Sequence, residues 1–240
     1  MYKRQIRTRS ADRRVVAGLA ACCLVIGLYL LLGLTPELWV DRPAEKASTP
    51  PWRIATALAN SAVLFLSATL AIGPARVLSG RRPVVHLPWR RVLGVTGALL
   101  ALAHMLVALT IHGTLLRALH QFFVATPTFT DPFPVRRSIR GIANWVGLAA
   151  ITVLVVLAFV SRDSWLRRLG PSRWKLAQRS IHLAFAAIAL HAFLYWRVEQ
   201  RLLGHQLLVL TPVALTAALQ MVATATVLAR RRAAQAGSAP

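Results

Sequence analysis

Three histidines, His104, His182 and His191, fall inside stretches of sequence apolar enough to cross a bilayer. An imidazole in such a place is a functional candidate by default, because an unpaired polar group in hydrocarbon costs several kcal/mol. The chemistry open to it is metal ligation, proton relay or a plain interhelical hydrogen bond. His104 lies 13 residues after Arg91, and His191 lies 12 residues after Arg179, each counted along an apolar run that leaves a basic turn. At 1.5 Å per residue, both imidazoles are expected about 18–20 Å into the membrane. Two histidines at matched depth on helices of the same direction could clamp one flat ligand.

His182 does not fit that arrangement. It stands three residues past Arg179, about 5 Å deep, and the position of equal depth on the other run is Gly94, which cannot ligate. His182 and His191 are nine residues apart, about 180° around a helix at 100° per residue, so one metal cannot take both. The expectation for His182 is an interfacial hydrogen bond, with a second cofactor or a propionate contact as the alternative. For His104 and His191 the competitor to ligation is a hydrogen bond to a neighbouring carbonyl, to Asn144 or to Thr110. His86, His112, His120 and His205 fall in connections or at a span end, where solvation explains them.

The helix faces around the deep pair are rich in small residues. Spacings of three and four share a face, which reads Gly94, Gly97, Ala101, His104, Ala108 on one run and Ser180, Ala184, Ala187, His191 on the other. Small residues let helices touch closely, or leave a slot for a macrocycle. A porphyrin with two axial histidines suits such a slot, since neutral imidazole nitrogen binds iron and burial helps set the potential.

The elements that must position these residues follow from composition. The chain has 240 residues, 56% hydrophobic and 15% charged, the profile of a polytopic membrane protein. Six windows are long enough to span: Val15–Leu34, Ile54–Gly73, Val92–Ile111, Ile142–Val160, Ser180–Trp196 and Leu207–Ala229. The expected fold is an all-α bundle of six transmembrane helices over residues 15–229. A basic N-terminus (1–14) and a basic tail (230–240) flank it. Basic residues alternate in density along the chain, with 20 Lys/Arg on the segments of one side and nine on the other. By the positive-inside rule, both termini are expected to be cytoplasmic.

That distribution accounts for the net charge of +22 without invoking nucleic acid. "LAAC" (Leu19–Cys22) resembles a lipoprotein cleavage box, but only Val15–Gly18 precede it as apolar run, and a signal needs about 7–15 such residues. The first window therefore reads as an uncleaved helix. The adjacent Cys22 and Cys23 read as small packing residues. No GxGxxG or P-loop pattern occurs.

"LFLSATLAIGPARVL" (Leu64–Leu78), "RRVLGVTGALLALAHM" (Arg90–Met105), "GIANWVGLAAITVLVVLAFVS" (Gly141–Ser161) and "LRRLGPSRWKLAQRSIHLAFAAIALHAFLYW" (Leu166–Trp196) together resemble the ferric reductase-like transmembrane domain superfamily. Within it they are most similar to the MsrQ type, the haem-binding membrane subunit of a bacterial periplasmic methionine sulfoxide reductase system. The resemblance runs from about Ile54 to Trp196. It implies a b-type cytochrome of the bacterial inner membrane. Electrons would come from a cytosolic flavin reductase or quinol, with a membrane-bound flavin (FMN) as a further cofactor it allows. They would go to a periplasmic oxidoreductase.

The family's haem-ligand histidines match His104 and His191, with one haem b expected and room for a second. The family's other histidine of that last span, five residues after the Arg of "RW", falls on Gln178 here. His182, one turn on, is the residue that would have to replace it as a cofactor contact. The segment "TPTFTDPFPVRRSIRG" (Thr126–Gly141) departs from the family.

The residues themselves are compatible with electron transfer, in which a cofactor carries the chemistry and the protein supplies burial, ligands and docking surfaces. Arg91, Arg173 and Arg179 could attract a flavin phosphate or a reductase, although their role as topology determinants suffices. The long connection His112–Arg140 carries Phe122, Phe123, Phe129 and Phe133 and is a candidate docking surface or interfacial anchor. The alternative reading is a cofactor-free six-helix transporter or membrane assembly subunit. Against it, none of the six windows contains Asp or Glu, the usual residues of proton-coupled pathways.

Overall fold

Seven helices follow one another in the computed structural model, which describes residues 49–80, 88–111, 114–124, 137–199 and 203–236. They are α1 (Pro50–Leu78), α2 (Pro88–Thr110), α3 (Leu115–Phe123), α4 (Ile139–Val160), α5 (Asp163–Arg179), α6 (Ile181–Glu199) and α7 (Leu203–Ala236). Among the described residues the fold is all-α, and five helical stretches are long and apolar enough to cross a membrane: α1, α2, α4, the α5–α6 run and α7. The first expected span, Val15–Leu34, with Cys22 and Cys23, lies outside the described residues, as does the basic N-terminus.

Each of the other five windows becomes a helix, and most helix ends overrun their windows because Pro and Arg can occupy terminal turns that an apolar count leaves out. α1 starts on Pro50 and Pro51, where a missing N–H costs nothing. It also continues through Pro74 to Leu78 rather than ending at Gly73. Proline at 74 cannot donate to the carbonyl four residues back, which belongs to Leu70. Gln220 of α7 supplies the missing donor, with Nε2 2.9 Å from the Leu70 oxygen. The interruption in α1 is thus repaired from the neighbouring helix.

Two helices were not among the windows. α3 is a short amphipathic piece inside the connection His112–Arg140, opened by the Thr114 hydroxyl accepting from the Arg117 N–H. α5 is too polar to span alone, and it breaks at Gly170, whose φ of 72° is a left-handed conformation natural to glycine. Its start is tied to that of α2 by an ion pair between Arg91 and Asp163 at 2.6 Å.

α1 is the central helix and packs on both α2 and α7, while α4 pairs with α6 and α2 touches α4. The core gathers Phe65, Leu66 and Leu70 of α1, Ala98 and Ala101 of α2, Leu154 of α4, and Ala184 and Phe185 of α6. α1 buries small polar residues as well. Thr56 and Thr69 return their hydroxyls to the carbonyls of Trp52 and Phe65, one way a polar side chain is tolerated in an apolar interior.

Candidate cofactor site

Two helix pairs build the site in the same way. His104, near the end of α2, places Nδ1 2.8 Å from the carbonyl oxygen of Ala55 in the first turns of α1. His191, on α6, places Nδ1 2.7 Å from the carbonyl oxygen of Ala143 in the first turns of α4. The acceptors lie 49 and 48 residues before their histidines. Each histidine thus ties its helix to the first turns of another, α2 to α1 and α6 to α4. The two imidazoles meet with ring centroids 6.5 Å apart and planes at 76°. His104 and His191 are therefore brought together, as equal depth requires.

The hydrogen-bond alternative foreseen for these histidines is also realised, and it does not compete with ligation. A carbonyl can only accept, so each Nδ1 must donate, and in a neutral imidazole the lone pair then resides on Nε2. A ligating histidine commonly hands its other N–H to a backbone carbonyl, which fixes the tautomer and raises ligand basicity. Of the two side chains named as competing partners, Thr110 donates to Val107 O. Asn144 binds elsewhere, donating to the Phe122 carbonyl at 3.1 Å and accepting from the Tyr195 hydroxyl.

The pair borders a cavity of about 550 Å³, within the usual range for small-molecule and cofactor sites. His104 and Ala108 of α2 line it, with Ala55, Ala59, Asn60 and Val63 of α1, Asn144 and Gly147 of α4, and Ile188, His191 and Tyr195 of α6. Among the described residues that line it, the charged side chains besides the histidines are Arg140 and Glu199. A haem fits this donor set. Each imidazole has Nδ1 on a backbone carbonyl, so its other ring nitrogen would be the one available to hold a haem iron. Among the described residues no three of His, Cys, Asp and Glu gather at one point. Two histidines with further coordination from a macrocycle match what the chain offers.

The small-residue faces resolve into two groups. Ala101 and Ala108 do border the cavity. Gly97 instead admits Leu66, whose Cγ would lie 2.9 Å from an added Cβ, and Gly94 faces Thr69. Ala184 is buried in the core at 1% exposure. Close helix packing accounts for those three. Sequence reasoning missed α1 as a wall of the cavity, and it missed Gly147. The alternation of Ala, Thr, Asn and Ser along α1 was the available signal.

His182 stands apart from the pair, on the exposed surface of α6, within electrostatic reach of Arg90 and Arg179. Gln178 is not directed at a ligand position. Its Nε2 donates to the Ser161 hydroxyl at 3.2 Å, and Trp174 Nε1 donates to Val160 O at 3.0 Å, so α5 closes the last turn of α4. His120 is exposed on α3. His86, His112, Phe129 and Phe133 lie outside the described residues, and so does the side chain of His205. At the histidine end of the bundle, Phe122 and Phe123 of α3 border the cavity. Phe123 also packs edge-on against Trp145 of α4 at 5.0 Å.

No protein-family model matches the chain. Among characterised proteins it is similar to the protein-methionine-sulfoxide reductase heme-binding subunit MsrQ of Rhizobium meliloti, 35% identical over 130 residues covering 54% of this chain and 52% of the relative. The MsrQ of Deinococcus radiodurans is 29% identical over 189 residues, 78% of this chain and 84% of the relative. The magnetosome protein MamZ of Magnetospirillum gryphiswaldense is 28% identical over 137 residues, 57% of this chain but 19% of MamZ. The chain thus matches about a fifth of MamZ and about half of the Rhizobium protein. These likenesses agree with the resemblance carried by the motifs. Its apolar helices and bacterial relatives make it a multi-pass protein of the inner membrane, where helices rather than barrels are the spanning element.

Proposed function

We propose that this chain, a homologue of the MsrQ haem-binding subunits, is the haem-carrying electron-transfer subunit of a bacterial inner-membrane oxidoreductase system. His104 and His191 are the residues that would hold the haem iron. The observation that carries this reading is the meeting of the two imidazoles at 6.5 Å, each with Nδ1 bonded to a backbone carbonyl. When bound, haem b supplies reversible one-electron chemistry at iron. The chain's own residues orient the two nitrogens, exclude water through the alanines and isoleucine of the cavity wall, and keep both rings in the neutral tautomer that ligates.

One haem is the count this arrangement supports. Gly94, at the depth of His182 by residue count, faces Thr69, and Gln178 is engaged with Ser161. Electrons enter from a cytosolic flavin reductase or a quinol and leave to a periplasmic oxidoreductase. A methionine sulfoxide reductase is the first acceptor to test, given the names of the relatives. The cations Arg90 and Arg179 near His182 favour an anionic flavin such as FMN, or its reductase, at that end.

The test is spectroscopic. Protein purified from cells supplied with haem precursor should show a Soret band and a sharp α band on reduction. Both should disappear in His104→Ala and in His191→Ala and persist in His182→Ala. A colourless wild-type protein under those conditions rejects the haem reading in favour of a cofactor-free membrane subunit.

A further inference from the structure

We infer that Gly147 is a positioning residue for His191. An absent side chain on α4 is what lets the α6 imidazole reach the Ala143 carbonyl. This rests on the haem reading for its redox consequence, whereas the geometry stands without it. A Cβ built on Gly147 would lie 2.6 Å from Nδ1 of His191, 2.8 Å from Cε1 and 3.4 Å from Cγ. Real Cβ atoms essentially never approach so closely, and the atoms met are those of a ring that can move only as a whole.

The reason lies in helix geometry. Residue 147 is four positions after Ala143, so its side chain would stand over the carbonyl that His191 uses. In this structure the His191 ring reaches that oxygen across the position a side chain at 147 would take. On the other half of the site, the residue four positions after Ala55 is Ala59, which borders the cavity and leaves His104 its bond at 2.8 Å. The two halves therefore differ, and only the His191 half requires glycine.

A methyl group at 147 would push the ring off the Ala143 oxygen and break the 2.7 Å bond. Losing that acceptor makes the imidazole less basic and frees its tautomer. With haem bound, a less basic His191 imidazole would stabilise ferric iron less, so the midpoint potential would rise. Glycine carries an intrinsic cost inside a helix relative to alanine, so Gly147→Ala should stabilise α4 wherever the ring is absent.

The sign of that change provides the test, made on the full chain in detergent in two backgrounds that both lack haem. In His104→Ala, where His191 remains, Gly147→Ala should lower the Tm. In His191→Ala, where the ring is gone, the same substitution should leave the Tm unchanged or raise it. Equal destabilisation in both backgrounds overturns the inference whether or not the protein binds haem. In the haem-loaded protein, Gly147→Ala should shift the midpoint potential upward or lose haem with helix content intact. Gly94→Ala, whose Cβ would make only an ordinary 3.4 Å contact with Thr69, should do neither. A coloured Gly147→Ala protein with wild-type potential overturns the inference and leaves the haem reading standing. A colourless wild type overturns the haem reading and leaves the Tm comparison to decide on Gly147.

Discussion

The imidazoles of His104 and His191 stand nearly perpendicular, their planes 76° apart at a centroid separation of 6.5 Å. Each ring holds Nδ1 on its own carbonyl, Ala55 O for one and Ala143 O for the other. If the two rings hold a haem iron as proposed and keep this angle, the two ferric dπ orbitals that interact with them would lie close in energy. Ferric protein should accordingly give a low-spin electron paramagnetic resonance signal of high anisotropy rather than the rhombic signal of parallel rings. A rhombic spectrum in the wild type would show that the rings turn toward one plane when ligated.

Gln220 offers a test of how α7 is held. Its amide satisfies the Leu70 carbonyl that Pro74 leaves unserved. Gln220→Leu should destabilise the folded chain by about 1–3 kcal/mol, the cost of a buried acceptor without its donor. The measurement is the thermal unfolding midpoint in detergent. Pairing the change with Pro74→Ala, which restores an N–H to α1, should recover most of the loss.

Asn144 links three elements, binding the Phe122 carbonyl of α3 and the Tyr195 hydroxyl of α6 from its place on α4. Tyr195 in turn packs against His191, with ring centroids 4.9 Å apart. Asn144→Ala should cost about 1–2 kcal/mol and loosen α3. Hydrogen exchange over residues 115–123 should then quicken more than in any other helix. Tyr195→Phe, which keeps the ring but not the hydroxyl, should leave α3 protected by the Phe122 bond.

The Arg91–Asp163 ion pair is short, at 2.6 Å, yet its side chains are 46% and 73% exposed. Solvent screening should hold its coupling to about 0.5 kcal/mol or less. A double-mutant cycle of Arg91→Ala and Asp163→Ala on the unfolding midpoint checks this, and the coupling should shrink further at high salt.

Much of the fold was legible along the chain because a bilayer imposes a one-dimensional rule. A backbone crossing hydrocarbon must satisfy itself internally and needs about 20 apolar residues to do so. Counting such residues recovers α1, α2, α4, α6 and α7 within a few positions. α5 escaped because it is polar and broken at Gly170, and α3 because nine residues within a long connection make no span. Depth is also a count, so residues 12 and 13 from a basic turn could be matched before their helices were seen together.

Rotation about each helix axis is not a count. Whether Gly97 and Ala184 line a slot or pack against a neighbour depends on which helix lies beside them, and both turned out to serve packing. The same holds for Gln178, placed by the fold against Ser161 rather than toward a ligand. By itself the sequence determined that the chain is a helical membrane protein, and that it carries two deep histidines at one level. Only the tertiary structure decided that α1 joins the cavity wall, that Ala55 and Ala143 lend their carbonyls, and that Gly147 must stay bare. Those depend on azimuth and on backbone atoms every residue shares, so no residue type advertises them.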